Sequence, residues 1–189
     1  MNREDVKKLV EGFNTDDTIA LTQRMIQIRS IDPPGDEAEM SEFVKDYLEK
    51  AGVDEVEAIS VEGLAPERKN IIARIKGSGE AAPLVFSGHM DVVPVSEREL
   101  TQWECDPWKG EIREDGFMWG RGSSDMKGGL AGALTAMKYL KDNGIVPPGD
   151  IILAASVDEE NLMRGAKAMV HYTQLQDAKG IIVCEGTGL

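Results

Sequence analysis

His89 and Asp91 stand two residues apart, Glu159 and Glu160 are adjacent, and Asp125 and Glu185 occupy separate segments of the chain. If the strand entering His89 continues, side chains two apart share a face, so the Asp91 carboxylate can hold one imidazole nitrogen. A carboxylate in that place fixes the tautomer of a metal-bound histidine and raises its basicity. Alone, His-x-Asp is short, and a turn histidine beside a strand-end acid is the more frequent source of it. Adjacent glutamates leave a strand end in different directions, so one can coordinate a cation while the other faces a substrate. A carboxylate placed there can take a proton from water and later pass it to a leaving amine, the division of labour in metal-assisted amide hydrolysis. In isolation Asp-Glu-Glu is more often a solvated loop or a helix start.

The case strengthens when the segments are placed on elements. An apolar run at 84–87 leads into Gly88-His89-Met90-Asp91, the run 151–157 into Asp158-Glu159-Glu160, and the run 181–184 into Glu185. Asp125 falls between the glycine loop Gly120-Arg121-Gly122 and the helix after it. Open α/β sheets bind ligands beyond the carboxyl ends of their strands, so four segments aim acids and one of only two histidines at the same edge. Carboxylates gathered this closely disfavour joint ionisation unless a cation lies among them. Imidazole with carboxylates and no thiolate suits Zn²⁺, with Co²⁺ or Mn²⁺ as alternatives.

Other candidates drop out. The glycine loop lacks the Gly-Lys-Ser/Thr spacing of a phosphate-binding loop. Cys105 and Cys184 are too few for a disulfide framework; Cys184 in an apolar strand reads as core, and Cys105 has no histidine near it in sequence. His171, among polar neighbours, reads as a surface residue of a helix.

Periodicity supplies the remaining elements. Helices are expected over 3–13 and 17–29, stopped by Pro33-Pro34, and over 37–51, ended by Gly52. Residues 70–75 and 84–87 read as strands that pair with one another. Asp115-Gly116 suits a type I′ hairpin turn. A helix over 126–141, a strand over 151–157, a helix over 165–174 and a strand over 181–184 complete a β-α-β-α-β order. That alternation predicts an α/β fold, a three-layer sandwich with a mostly parallel mixed central sheet. Neither an internal repeat nor a domain boundary is evident.

With 41% hydrophobic and 29% charged residues the chain reads as a globular protein with one core. Its 34 acidic and 21 basic side chains give a net charge of −13, which argues against nucleic acid and anionic membrane partners. The charged N-terminus lacks a secretory pattern and no apolar run approaches the ~20 residues of a membrane span, so a cytoplasmic location and reduced thiols are expected.

The chain resembles the co-catalytic zinc exopeptidases and deacylases, the group of acetylornithine deacetylase, succinyl-diaminopimelate desuccinylase, aminoacylase and carboxypeptidase G. The resemblance spans most of the sequence. It rests on Ser87-Gly-His-Met-Asp-Val-Val-Pro94, the segment Trp103 to Gly110, Trp119-Gly-Arg-Gly-Ser-Ser-Asp-Met-Lys-Gly-Gly129, Asp158-Glu-Glu160 and Glu185-Gly-Thr187. It implies two zinc ions: one bound by His89 and Glu185, the other by Glu160, with Asp125 bridging both. It also implies that Asp91 orients His89 and that Glu159 is the base activating a water that attacks an N-acyl or peptide carbonyl. Gly186 stands where the family usually has proline. Family members continue for well over a hundred residues, through a lid and dimerisation domain and a histidine that completes the second zinc site. The chain is therefore expected to be the N-terminal part of the catalytic domain of a homodimeric parent that hydrolyses small N-acyl amino acids or peptides. Two other readings stay open: a truncated, metal-binding fragment without turnover, and an acidic α/β domain whose cluster is surface charge.

Overall fold

In the computed structural model, which describes residues 3–187, the first two helices are α1 (Arg3–Gly12) and α2 (Thr15–Gln27). Asn14 caps α2, its side chain accepting from the Asp16 amide at 3.1 Å. The helix closes at Gln27, well before Pro33-Pro34. Ile28 is already extended, and the chain runs on to pair with a distant segment, Val92 N donating to Ser30 O and Asp32 N to Val92 O. Tertiary hydrogen bonding therefore ends the helix before the prolines can. The next elements are α3 (Ala38–Lys50), β1 (Glu55–Ser60), β2 (Lys69–Ile75) and β3 (Leu84–His89). After the short α4 (Glu97–Leu100) come the hairpin strands β4 (Glu111–Ile112) and β5 (Met118–Trp119). The chain then passes through α5 (Gly128–Asp142), β6 (Ile151–Ser156), α6 (Arg164–Met169) and β7 (Gly180–Val183).

The main sheet has the order β1-β2-β6-β3-β7. β3 is parallel to both β6 and β7, whereas β2 is antiparallel to β6 and to β1, so the sheet is mixed. The expected pairing of β2 with β3 does not occur, because the α5 crossover returns β6 between them. β2 is buried along most of its length, as an interior strand should be. The strand β1 escaped the sequence reading: it is a charged edge strand with an exposed and half-buried pattern and no apolar run.

The sheet separates two apolar layers. On one face α2, α3 and α5 contribute Met25, Met40, Val44, Leu48, Leu130 and Leu134 to a core with Ile71, Ala73, Leu153 and Ala155. On the other, Ile72, Val85, Ile152 and Ala154 pack against Met169, Tyr172 and Leu175. This alternation of neighbouring residues between faces produces the three-layer sandwich. Two local expectations need correction. The hairpin turn has positive φ at Gly116 (84°) and not at Asp115. Gly116 N donates to Arg113 O and Arg113 N to Phe117 O, the bonds of a longer loop closed by a left-handed glycine. The helix expected over 165–174 stops at Met169 and resumes only as a 3₁₀ turn, Thr173–Leu175; His171 lies exposed in the turn between them.

Candidate metal centre

β3 delivers His89 at its last residue, and the chain beyond is held in place by Met90 N donating to Ser156 O at 2.9 Å. β6 ends at Ser156, and Asp158 (φ 63°) turns the chain before Glu159 and Glu160. β7 ends at Val183, and Cys184 N still donates to Ser87 O, so Glu185 follows a paired backbone. Asp125 comes from a kinked turn that opens with left-handed Gly122 (φ 87°). Asp125 itself is extended there (φ −124°, ψ 98°), which pushes its carboxylate outward, 67% exposed. Four chain segments thus meet at one end of the sheet.

His89 is nearly enclosed. Its Nε2 lies 3.0 Å from Asp125 Oδ1, 3.4 Å from Glu185 Oε1 and 3.8 Å from Glu159 Oε2. Its Nδ1 faces Asp91, 3.1 Å from the backbone oxygen and 3.5 Å from Oδ1. Asp91 Oδ2 accepts from the Glu160 amide at 2.8 Å, while Oδ1 is buried without a hydrogen-bond partner. Ligand atoms of His89, Asp125 and Glu160 all lie within 4.8 Å of one another. Burial drives the His89 pKa down, but the Asp91 hydrogen bond and the charges of Asp91, Glu185 and Glu159 outweigh it and lift the ring to about 9. Burial raises the Glu160 carboxyl, and Asp125 adds to the rise; burial likewise raises Glu185, with His89 opposing and Asp125 and Glu159 adding. Such a group of acids around one imidazole, unfavourable when fully ionised, is a donor set suited to a divalent cation. Asp91 Oδ1 beside Nδ1 can accept the proton that a ring ligating through Nε2 would carry there.

A profile of peptidase family M20/M25/M40 matches residues 85–189. The chain belongs to this family. The M20 chain is 34% identical over 158 residues to the N-formyl-4-amino-5-aminomethyl-2-methylpyrimidine deformylase of Halalkalibacterium halodurans, covering 82% of this chain and 35% of that protein. It is 36% identical over 151 residues to a probable succinyl-diaminopimelate desuccinylase of Staphylococcus epidermidis, covering 80% of this chain and 35% of that one. It therefore spans about a third of the length of these curated relatives. Among solved structures, an M20 family metallo-carboxypeptidase from Sulfolobus solfataricus superposes with a TM-score of 0.73 at 25% identity, over 89% of this chain and 37% of that one.

Two supporting features of the M20 chain were not legible as site residues. Lys127 is fully buried, and its Nζ donates to Met25 O and Ile28 O at 3.1 and 2.8 Å, tying the Asp125 turn to the end of α2. Burial pushes its ammonium down to about 7. A lysine set among glycines and apolar residues was the available signal. Cys184, expected in the core, is only half-buried, and its backbone matters more than its thiol. The first turn of α5 packs on the Cys184 carbonyl so closely that a Cβ on Gly129 would overlap that oxygen. Gly129→Ala is therefore expected to cost about 1–3 kcal/mol, the usual range for overpacking, and to move Glu185. Gly132→Ala, on the same helix with open space around it, should be neutral or stabilising by up to about 1 kcal/mol. Thermal melts of the pair check this, and equal melting temperatures would contradict the close approach.

Proposed function

We propose that this chain carries the metal-binding part of a two-zinc amide hydrolase acting on N-acyl amino acids or small peptides. His89 and Glu185 would hold one cation, Glu160 the other, and Asp125 would bridge them. The observation that carries the reading is the convergence of His89, Asp125 and Glu160 within 4.8 Å, with Glu185 Oε1 3.4 Å from His89 Nε2. When bound, the pair of cations would supply Lewis-acid polarisation of a carbonyl and acidification of a water molecule.

The chain's own residues divide the remaining work. Asp91 keeps the His89 ring in one orientation through Nδ1 and leaves Nε2 toward the centre. Glu159, 30% exposed with Oε2 3.8 Å from His89 Nε2, would remove a proton from water and return it to the departing nitrogen. A cavity of about 620 Å³ lined by Trp103, Phe117, Met118, Trp119 and Ser123 opens beside the Asp125 turn. Its aromatic wall would take an apolar acyl or side-chain group. The relatives named for deformylation and desuccinylation suggest the panel for a test: zinc-loaded protein with N-formyl, N-acetyl and N-succinyl amino acids and with dipeptides. Release of free amine, followed with an amine-reactive fluorophore, is expected for at least one class. Zinc uptake without amine release from any of them would identify a binding module instead.

A further inference from the structure

Behind the metal centre lies a buried lattice of arginine and carboxylates that the proposed chemistry does not use. Arg68, just before β2, points its Nη2 at Asp32 Oδ2 (2.9 Å), Glu37 Oε1 (2.6 Å) and Asp158 Oδ1 (3.3 Å), and its Nε lies 2.6 Å from Glu37 Oε2. Asp32, Glu37 and Asp158 are entirely enclosed. The loop that brings the first two is shaped around the guanidinium. Gly35 N and Asp36 N both donate to Ile31 O, and Gly35 adopts φ 108° at a place where any Cβ would overlap Arg68. Burial, and then Glu37, push the Asp32 carboxyl up to about 6 against the pull of Arg68, as befits an acid sharing one arginine with two other acids.

The lattice bears on one residue in particular. Asp158 is one of two non-glycine residues with positive φ among the described residues, and it immediately precedes Glu159 and Glu160. Its amide donates to Glu37 Oε1 at 3.0 Å, and its carboxylate accepts from the Arg164 amide (3.0 Å), Arg164 Nε (2.9 Å) and Arg164 Nη2 (3.1 Å) as well as from Arg68. Two residues on, the Glu160 amide is fixed by Asp91. A left-handed aspartate persists where its surroundings over-determine it. Buried ion pairs are weak sources of stability, because desolvation offsets their attraction, so a lattice this enclosed calls for a role in setting geometry.

We propose that Arg68, acting with Glu37 and Asp32, is a positioning residue that locks Asp158 in its left-handed turn so that Glu159 and Glu160 leave β6 in different directions. This rests on the metal-centre reading above. The probe is Co²⁺, titrated into the purified chain and followed by its visible absorption band and by calorimetry. Arg68→Met is expected to weaken Co²⁺ binding by about 10–100-fold, the effect typical of residues supporting a ligand, and to change the band. Arg68→Lys keeps the charge without the fork and should fall between Arg68→Met and the unsubstituted chain. Unaltered affinity and band in a folded Arg68→Met overturn the inference.

If circular dichroism melts show that Arg68→Met does not fold, the Asp158 variants decide. Asparagine tolerates left-handed backbone but offers Arg68 no charged carboxylate, and alanine lacks both, so Asp158→Asn should lose Co²⁺ affinity by about three- to fivefold while Asp158→Ala loses about tenfold or more. Equal binding by the two variants overturns the inference. The metal-centre reading fails by a different result: no Co²⁺ uptake by the unsubstituted chain, or Glu160→Ala binding as well as that chain does. Either would take this inference down with it, whereas a normal Glu160 control with unaffected Arg68 and Asp158 variants sinks the positioning role alone.

Discussion

Zinc is expected to raise the melting temperature of this chain by roughly 5–10 °C when the free cation stands about 100-fold above its dissociation constant, and His89→Ala is expected to abolish that rise. The size follows from linkage. A ligand at that excess adds about 2.7 kcal/mol to the folded state, and about 2–4 °C accompany each kcal/mol in a chain of this length. His89 carries the prediction because it is the one imidazole in the centre, with Asp125, Glu159 and Glu185 all within 4 Å of Nε2. Removing it takes a proposed ligand from the middle of the group. The metal-free melting temperature of the variant must be measured separately, since a buried ring and its Asp91 contacts are lost too. What matters is the zinc-induced increment. An equal increment in both proteins would mean that zinc binds elsewhere on an acidic surface and that the cluster is surface charge.

The convergence of these residues was legible because the relevant rule is topological. Strands that enter His89, Asp158-Glu159-Glu160 and Glu185 were recognisable from composition, and parallel strands in one sheet put such ends on one side. β3 runs parallel to both of its neighbours, β6 and β7, so the inference needed the strands' directions and not their order. The order itself was not legible. Nothing in residues 70–75 and 84–87 distinguishes a direct pair from a pair separated by a later strand, and that choice is made by the crossover through α5. β1 was missed for a related reason: an edge strand such as Glu55–Ser60 lacks the apolar run that marks an interior one.

The supporting groups were harder still. Arg68, Glu37 and Asp32 look like ordinary surface charges in sequence, and their partners lie 31, 36 and 90 positions away. Pro33-Pro34 reads as a helix stop, a local role, whereas Gly35 beside it is needed to let the loop wrap a guanidinium. Periodicity registers apolar faces, whereas a buried ion lattice is assembled from polar residues that each fit a loop. The same limit hid Lys127, whose acceptors are carbonyls at the far end of the chain's second helix.

Glu159→Gln is expected to lower turnover of an amide substrate by about 10²–10⁴-fold with little change in zinc affinity, measured in the longest protein that carries this sequence. In the proposed reading the two adjacent glutamates have different duties. Glu160 belongs to the tight group with His89 and Asp125. Glu159 lies outside that set of three: its Oε2 is 3.8 Å from the imidazole and its side chain is partly open to solvent, where a carboxylate can reach a water. Glutamine keeps the size and the acceptor oxygen of Glu159 but cannot hold a proton, so kcat should collapse while KM and metal content stay near their starting values. Glu160→Gln should do the reverse in kind, losing metal first and activity as a consequence. If Glu159→Gln retained turnover, the proton would have to go elsewhere. If it lost metal together with activity, Glu159 would be a ligand, and the division between the two neighbours set by the turn at Asp158 would have to be abandoned.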